Sequence, residues 1–416
     1  MNFSRFSVLL LAAACAVPAP PQDAPSSPFA QLDEIVKELS RITGWPLLRK
    51  VNYESMSRGQ LKAYFEKRIR EVVKPEEIRV EELTLKKFGF VPAGYNLEEA
   101  TIELLTEQAA AFYDYRAKKM VLLEDSASGL QQIALVHELA HALADQHVNL
   151  EKFIDKAGKS DDGALARAAV MEGQATWLMA EYMANRMGQS LKDAPWMLDM
   201  MSKTAAAMGD GFPVFNKAPL YIRETLVFPY AQGLRFHQEM FMKLGPKCFA
   251  ELFKRPPLTT REILHPEHYL GRAPLPPVRL PSFGGESGYR KIAEGTLGEF
   301  DHAILLRQYA ADSEPLAAAW RGGSYRIFEH KNNGRLVLVY ASRWETPRAA
   351  GDFFRAYRKV LAGKWANLQP ASESDAIFAG AGDDGHFLVR LDGDSFLSIE
   401  GLDRPAAGGN SAKLTL

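Results

Sequence analysis

An H-E-x-x-H pentapeptide at residues 137–141 constrains this chain more than any other feature. It lies within residues 130–144, an apolar stretch without Gly or Pro that predicts a helix. At about 100° per residue, His137 and His141 lie one turn apart on the same helical face. Two imidazoles so placed can reach one Zn²⁺ ion, with Glu138 beside them as a base. The alternative is a half-buried helix with Glu138 in solvent, but apolar helices seldom bury two unpaired histidines.

A catalytic zinc site usually has three protein ligands and one open position, so a third ligand is expected. Glu172 is the strongest candidate because it interrupts residues 164–187, a second long apolar helix. A carboxylate in such a run is costly unless it is paired or bound to a metal. Gly173 beside it would permit two helices to approach closely.

Other side chains near the motif offer alternatives to this ligand set. His147 lies six residues after His141, about 240° round the helix, and therefore points elsewhere. Asp145 lies one turn past His141, where a hydrogen bond to a ligand ring is more suitable than ligation. A further alternative is that Glu172 pairs with Arg167 or caps a contact between helices instead of binding a metal.

The N-terminus has the pattern of an export signal. Arg5 supplies a positive charge, and residues 6–17 form an apolar run that is too short for a transmembrane span. Residues 12–15 (Ala-Ala-Ala-Cys) resemble a bacterial lipobox, although Ala12 stands where a larger aliphatic residue is usual. The chain is therefore expected to be exported to the periplasm or the medium. Cys15 is a candidate site for a lipid anchor, and the alternative is release as a soluble protein.

The composition of the 416 residues excludes some partners. Lys and Arg number 50 against 51 Asp and Glu, without a dense basic block, so nucleic acid is not an expected partner. Cys248 is the only cysteine besides Cys15, so no intrachain disulfide is expected in the mature chain. No second apolar stretch is long enough to span a bilayer. The oligomeric state is left open by these features.

Two segments resemble a known group of enzymes. HELAHALADQHVNL at 137–150 and ARAAVMEGQATWLMAEY at 166–182 are similar to gluzincin-type zinc metallopeptidases. They resemble more closely a set of exported bacterial and archaeal proteins with H-E-L-x-H-A-L-x-D-Q-H and E-G-x-A-T motifs. The likeness covers roughly residues 80–270, including 255–267, and the C-terminal part more loosely.

This resemblance implies a zincin fold in which His137, His141 and Glu172 bind Zn²⁺ and Glu138 is the general base. Many gluzincins have an Asp four residues after the Glu ligand, where this chain has Thr176. The partner of a ligand histidine must therefore differ, with Asp145 or Asp114 as substitutes.

The reaction expected of such a site is hydrolysis of a peptide or protein substrate, with Glu138 accepting the proton of a zinc-activated water. Tyr230 is the candidate donor to the oxyanion, with His237 and His265 as alternatives. The alternative function is that of a zinc-binding, non-proteolytic scaffold or binding protein of the cell envelope. The intact Glu138 favours the enzyme, because a structural site needs no base.

The expected fold class is α+β. The strand 119–124 is expected to be a short edge strand that lines the substrate cleft; an ordinary core strand is the alternative, which periodicity cannot separate from it. Residues 97–113 are expected to be helical. The predicted divisions are a signal peptide (1–17), a linker (18–28), a mostly helical zincin-like catalytic domain (29–273), a Pro/Gly-rich linker (274–288) and a C-terminal α+β module (289–416).

The export prediction can be checked by N-terminal sequencing and mass spectrometry of the protein from bacterial cell fractions. The mature chain should begin near residue 18, or at a lipid-modified Cys15, because the apolar run has the length of a cleaved signal. Full-length protein in the cytoplasm would contradict export. An unlipidated chain that begins after Cys15 would exclude the lipid anchor but not export.

Overall fold

The structure is a computed structural model that describes residues 32–124, 128–158, 160–194, 196–198, 212–272, 275–310 and 314–405. The predicted signal peptide, the linker 18–28 and Cys15 lie outside the described residues. Within them, no helix is both long and apolar enough to cross a membrane.

The fold class is α+β, as the sequence indicates: a helical N-terminal part precedes a C-terminal module built on a β-sheet. The elements of the N-terminal part are α1 (Leu32–Thr43), β1 (Asn52–Met56), α2 (Arg58–Val72), α3 (Pro75–Phe88), α4 (Leu97–Gln108), β2 (Ala111–Asp114), β3 (Lys119–Leu123), α5 (Ser128–Val148), α6 (Leu150–Asp155), α7 (Asp161–Arg186), α8 (Pro213–Lys217), α9 (Leu220–Leu244), α10 (Cys248–Lys254), α11 (Thr260–Leu264) and α12 (Pro266–Gly271). Those of the C-terminal module are β4 (Tyr289–Gly295), α13 (Glu299–Tyr309), α14 (Glu314–Ala317), β5 (Trp320–His330), β6 (Leu336–Trp344), α15 (Pro347–Lys364), β7 (Gln369–Glu373), β8 (Ile377–Gly382), β9 (Gly385–Asp392) and β10 (Ser395–Leu402).

The strand that precedes the H-E-x-x-H helix is not an edge strand. β3 is the central strand of a three-stranded sheet in the order β1-β3-β2, parallel to β1 and antiparallel to β2. The helix expected over 97–113 also ends early, at Gln108, and residues 111–114 form β2 instead. Both differences have one physical cause. Pairing with a second strand satisfies the backbone of each segment, and local periodicity does not reveal the partner.

Helices α5, α7 and α9 form the layer that carries the H-E-x-x-H motif. The alanine-rich α7 begins at Ser160, whose hydroxyl accepts the amide of Gly163 at 3.0 Å and caps the helix. Gly173 of α7 meets Gly233 of α9 so closely that a Cβ on either glycine would overlap the backbone of the other helix. The close approach expected at Gly173 therefore occurs with α9, and α5 packs on α7 beside this crossing.

The C-terminal module is a seven-stranded sheet in the order β4-β5-β6-β10-β9-β8-β7. Helices α13 and α15 pack on one face, and residues of the predicted linker, including Val278, Leu280 and Phe283, cover part of the other. The module shares a continuous hydrophobic core with the helical part. The two parts therefore pack as one body.

The glycine crossing predicts the effect of Gly173→Ala. The added methyl group must push α9 away, so we expect the free energy of unfolding to fall by about 1–3 kcal/mol, measured by denaturant titration. Gly59→Ala in α2 is the matched control, because no atom lies within 4 Å of a Cβ built there. Equal stability of the two variants would show that α7 and α9 do not need this close approach.

Candidate metal centre

The H-E-x-x-H segment is helical, and α5 presents both histidines to α7. The helix continues without Gly or Pro to Val148 and ends at Asn149, whose backbone is left-handed (φ 53°). Asn149 also accepts the amide of Lys152 at 3.0 Å and so starts the next helix. The spacing of the motif therefore places His137 and His141 on one face, as the sequence predicts.

Three side chains from these two helices converge on one point. The Nε2 atoms of His137 and His141 lie 3.0 Å apart, and the Oε2 atom of Glu172 lies 3.2 Å and 3.3 Å from them. Four-coordinate zinc with bonds of about 2.0–2.1 Å separates its ligand atoms by about 3.3 Å, so the observed triangle has the size of one face of such a site.

All three side chains are buried, with exposed fractions of 6% for His137, 4% for His141 and 2% for Glu172. Burial lowers the pKa of His137, which keeps its imidazole in the neutral form that binds metals. Burial acts to raise the pKa of Glu172, but the two imidazoles outweigh it and the pKa falls to about 2. The ionised carboxylate and neutral imidazole are the protonation states that a metal site requires.

One observation within the group favours a cation. The Oε1 atom of Glu172 is buried and has no hydrogen-bond partner among the described residues. A buried carboxylate with an unsatisfied oxygen is costly unless a positive charge compensates it. No lysine or arginine forms an ion pair with Glu172 in the part of the chain that the structure describes. These residues could therefore hold a metal ion.

Glu138 lies next to the candidate ligand His137 and is fully buried. Its Oε2 atom accepts the backbone N–H of Tyr113 at 2.6 Å, whereas Oε1 has no partner within the described ranges. Burial raises the pKa of Glu138 well above its ordinary value, the charge of Glu172 adds to this effect, and the Tyr113 N–H opposes it. One carboxylate oxygen is thus held and the other is available.

Sequence reasoning missed Tyr113 because its segment was expected to continue helix α4. A signal was available in the stretch Ala111–Asp114, which contains two aromatic residues. A polar turn and then the aliphatic strand β3 follow this stretch. Such a pattern is also typical of a β-hairpin.

Of the three candidate oxyanion donors, Tyr230 alone contacts one of the three converging side chains in the described structure. Its ring stacks on that of His137, with centroids 5.9 Å apart and planes inclined by 28°. His237 is buried, and its Nε2 atom lies 3.7 Å from the sulfur of Cys248. The Nε2 atom of His265 lies 2.7 Å from the carboxylate of Glu299 in the C-terminal module.

The alternatives to the ligand set have other partners. The ring of His147 stacks on Trp45, with centroids 5.1 Å apart, and its Nε2 binds the carbonyl of Pro46 at 2.8 Å. Arg167 donates to the carbonyl of Phe153 at 3.1 Å rather than pairing with Glu172.

The two aspartates expected to support a ligand histidine also bind other groups. Asp145 accepts the hydroxyl of Tyr113 at 2.9 Å, and Asp114 is bound by Tyr64 and Arg68.

Comparison with known proteins bears on the C-terminal module alone. A family model described as a domain of unknown function (DUF8575) matches residues 287–408, which contain β4 to β10. Neither the curated proteins nor the solved structures give a match to the chain. The match does not include any of the residues of the metal centre.

The convergence predicts stoichiometric metal binding. Purified protein should hold one equivalent of a divalent metal by elemental analysis, and His141→Ala or Glu172→Ala should abolish it, because two ligands in a buried site bind far more weakly than three. His147→Ala is the matched control and should keep the metal, since its ring contacts Trp45 and Pro46. Retention of a full equivalent in both ligand variants would refute the site.

Proposed function

We propose that this protein is a zinc-dependent metallopeptidase that hydrolyses peptide bonds with Glu138 as general base. The observation that carries the proposal is the convergence of His137, His141 and Glu172 beside a buried carboxylate with one available oxygen. The resemblance of the two motif segments to gluzincin-type peptidases supports the same reaction.

The donor set favours zinc over other common cations. Two imidazole nitrogens and one carboxylate oxygen form the His₂Glu set of catalytic zinc sites, whereas Ca²⁺ and Mg²⁺ prefer oxygen ligands. When bound, zinc acidifies a water molecule and polarises the scissile carbonyl.

The protein's own residues manage the proton in the proposed reaction. As the water oxygen forms a bond to the carbonyl carbon, the Oε1 atom of Glu138 accepts the proton that the water releases. Glu138 then delivers this proton to the amide nitrogen as the carbon–nitrogen bond breaks. The buried position of Glu138 excludes bulk water, which would otherwise compete for the proton.

Tyr230 is the proposed donor to the oxyanion that forms during this step. Its ring packs on His137, so its position is fixed relative to a ligand. The phenol of Tyr230 is buried, with 7% exposure, and its hydroxyl can donate a hydrogen bond.

The second candidate function is a zinc-binding scaffold without peptidase activity. Structural zinc sites are closed by four protein ligands, whereas the group found in the described residues has three. A position left for water favours a catalytic site. We also propose that the enzyme acts outside the cytoplasm, either lipid-anchored at Cys15 or released, because of the signal pattern in residues 6–17.

Glu138→Gln tests the proposed function directly. The substitution keeps the shape of the side chain and removes its basicity, so the zinc content should remain while the turnover of a cleaved peptide falls by about 10²–10⁴-fold. Cleavage can be followed by mass spectrometry of a proteome-derived peptide library. Glu239→Gln on α9 is the matched control, because Glu239 is 53% exposed and should leave turnover unchanged.

Two results would contradict the proposal. Unchanged turnover in Glu138→Gln would place the base elsewhere, and zinc-loaded wild-type protein that cleaves no peptide of the library would favour the scaffold.

A further inference from the structure

We infer that Asp145 and Tyr113 are positioning residues that fix the orientation of the Glu138 carboxylate. This inference deepens the proposed function and rests on it for its catalytic meaning. Neither residue is a zinc ligand: both act through the hydrogen bond that reaches the Oε2 atom of Glu138.

The geometry of the β2–β3 hairpin aims the Tyr113 amide at Glu138. Tyr113 lies opposite Met120. The Leu123 amide donates to the Ala110 carbonyl (3.1 Å), so Ala110 and Leu123 form a hydrogen-bonded pair. Hydrogen-bonded and non-hydrogen-bonded pairs alternate along an antiparallel ladder. By this alternation Tyr113 occupies a non-hydrogen-bonded pair, so its N–H points away from β3. The free edge of β2 therefore presents this donor to helix α5.

Asp145 anchors the same hairpin to the helix that carries the metal ligands. Its side chain is fully buried and accepts the Tyr113 hydroxyl at 2.9 Å, the Lys118 ammonium at 2.7 Å and the Leu150 amide at 3.0 Å. Asp145 lies seven residues after Glu138, two helical turns along the same face of α5. Tyr113 thus contacts α5 twice, by its hydroxyl and by its amide.

Lys118 provides a second, independent sign that this clamp is built into the hairpin. It is one of the few described non-glycine residues with a left-handed backbone (φ 54°), which L side chains rarely adopt. Its ammonium compensates the buried charge of Asp145. Burial, followed by the charge of Asp145, raises the pKa of Tyr113, so its hydroxyl remains a donor.

The consequence for the site is a carboxylate that cannot rotate freely. With Oε2 held by the amide of Tyr113, Oε1 is the oxygen left to accept a proton. Catalysis depends on a near-fixed distance between the base and the reacting water, so a loose carboxylate would lower the turnover number without changing metal binding.

Tyr113→Phe and Tyr64→Phe form a matched pair for the test. Each removes one tyrosine–aspartate hydrogen bond from the same hairpin, but Tyr64 binds Asp114, which does not contact Glu138. Hydrogen exchange of the backbone amide of residue 113, measured by mass spectrometry, should become roughly tenfold faster in Tyr113→Phe. The exchange rate of the same amide should remain unchanged in Tyr64→Phe. Zinc content should stay at the wild-type value in both variants.

The kinetic arm separates positioning from a purely structural role. For a cleaved peptide, Tyr113→Phe should lower kcat by about 10- to 100-fold with KM unchanged, and Tyr64→Phe should not.

Three further outcomes are decisive. An unchanged exchange rate of the residue 113 amide in Tyr113→Phe overturns the inference, whether or not any peptide is cleaved. An equal loss of turnover in Tyr113→Phe and Tyr64→Phe also overturns it. Absence of cleavage by the wild-type protein, with faster exchange in Tyr113→Phe alone, overturns the proposed function and supports the clamp.

Discussion

The burial of the Glu172 carboxylate between apolar helices is the constraint on which the centre of this molecule depends. A buried ion without compensation costs several kcal/mol, and the only neighbours that reach its Oε2 atom in the described structure are two histidines. Gly173, the residue after Glu172, packs against Gly233 and fixes α7 against α9. The packing that holds the helix in place thus also sets the position of the third candidate ligand, and a bound cation would remove the cost of the buried charge.

The proposed general base, Glu138, is held by a different kind of structure. Whereas α7 supplies the third candidate ligand, a two-stranded hairpin supplies the amide that holds Glu138. Backbone amides at a strand edge are rigid and do not ionise near neutral pH, so they orient a carboxylate without competing with it as a base. The candidate site therefore depends on helix packing for its three converging side chains and on strand pairing for the orientation of Glu138.

The C-terminal module is joined to this centre through the first turn of α7. The Oδ1 atom of Asp162 accepts the backbone amide of Thr260 at 3.0 Å, and a Cβ on Gly298 of the module would overlap the Asp162 carboxylate. Close by, Arg261 and His265 both bind the buried Glu299 of the module. Burial and the neighbouring charge of Asp301 raise the pKa of Asp162 to about 8. The residues 255–267, singled out by the resemblance, therefore contribute to this junction rather than to the metal centre.

The sequence by itself determined what depends on local spacing and on the cost of burial. The i, i+4 histidines, the adjacent Glu138 and the carboxylate of Glu172 inside an apolar helix all follow from these two rules, as does the α+β class. Tertiary structure alone decided which strands pair, that residues 111–114 leave the helical pattern, and that Asp145 binds the hairpin instead of a histidine. The reason is physical. A helix closes its hydrogen bonds within a few residues, whereas a strand or a buried aspartate is satisfied by partners far along the chain that no local pattern names.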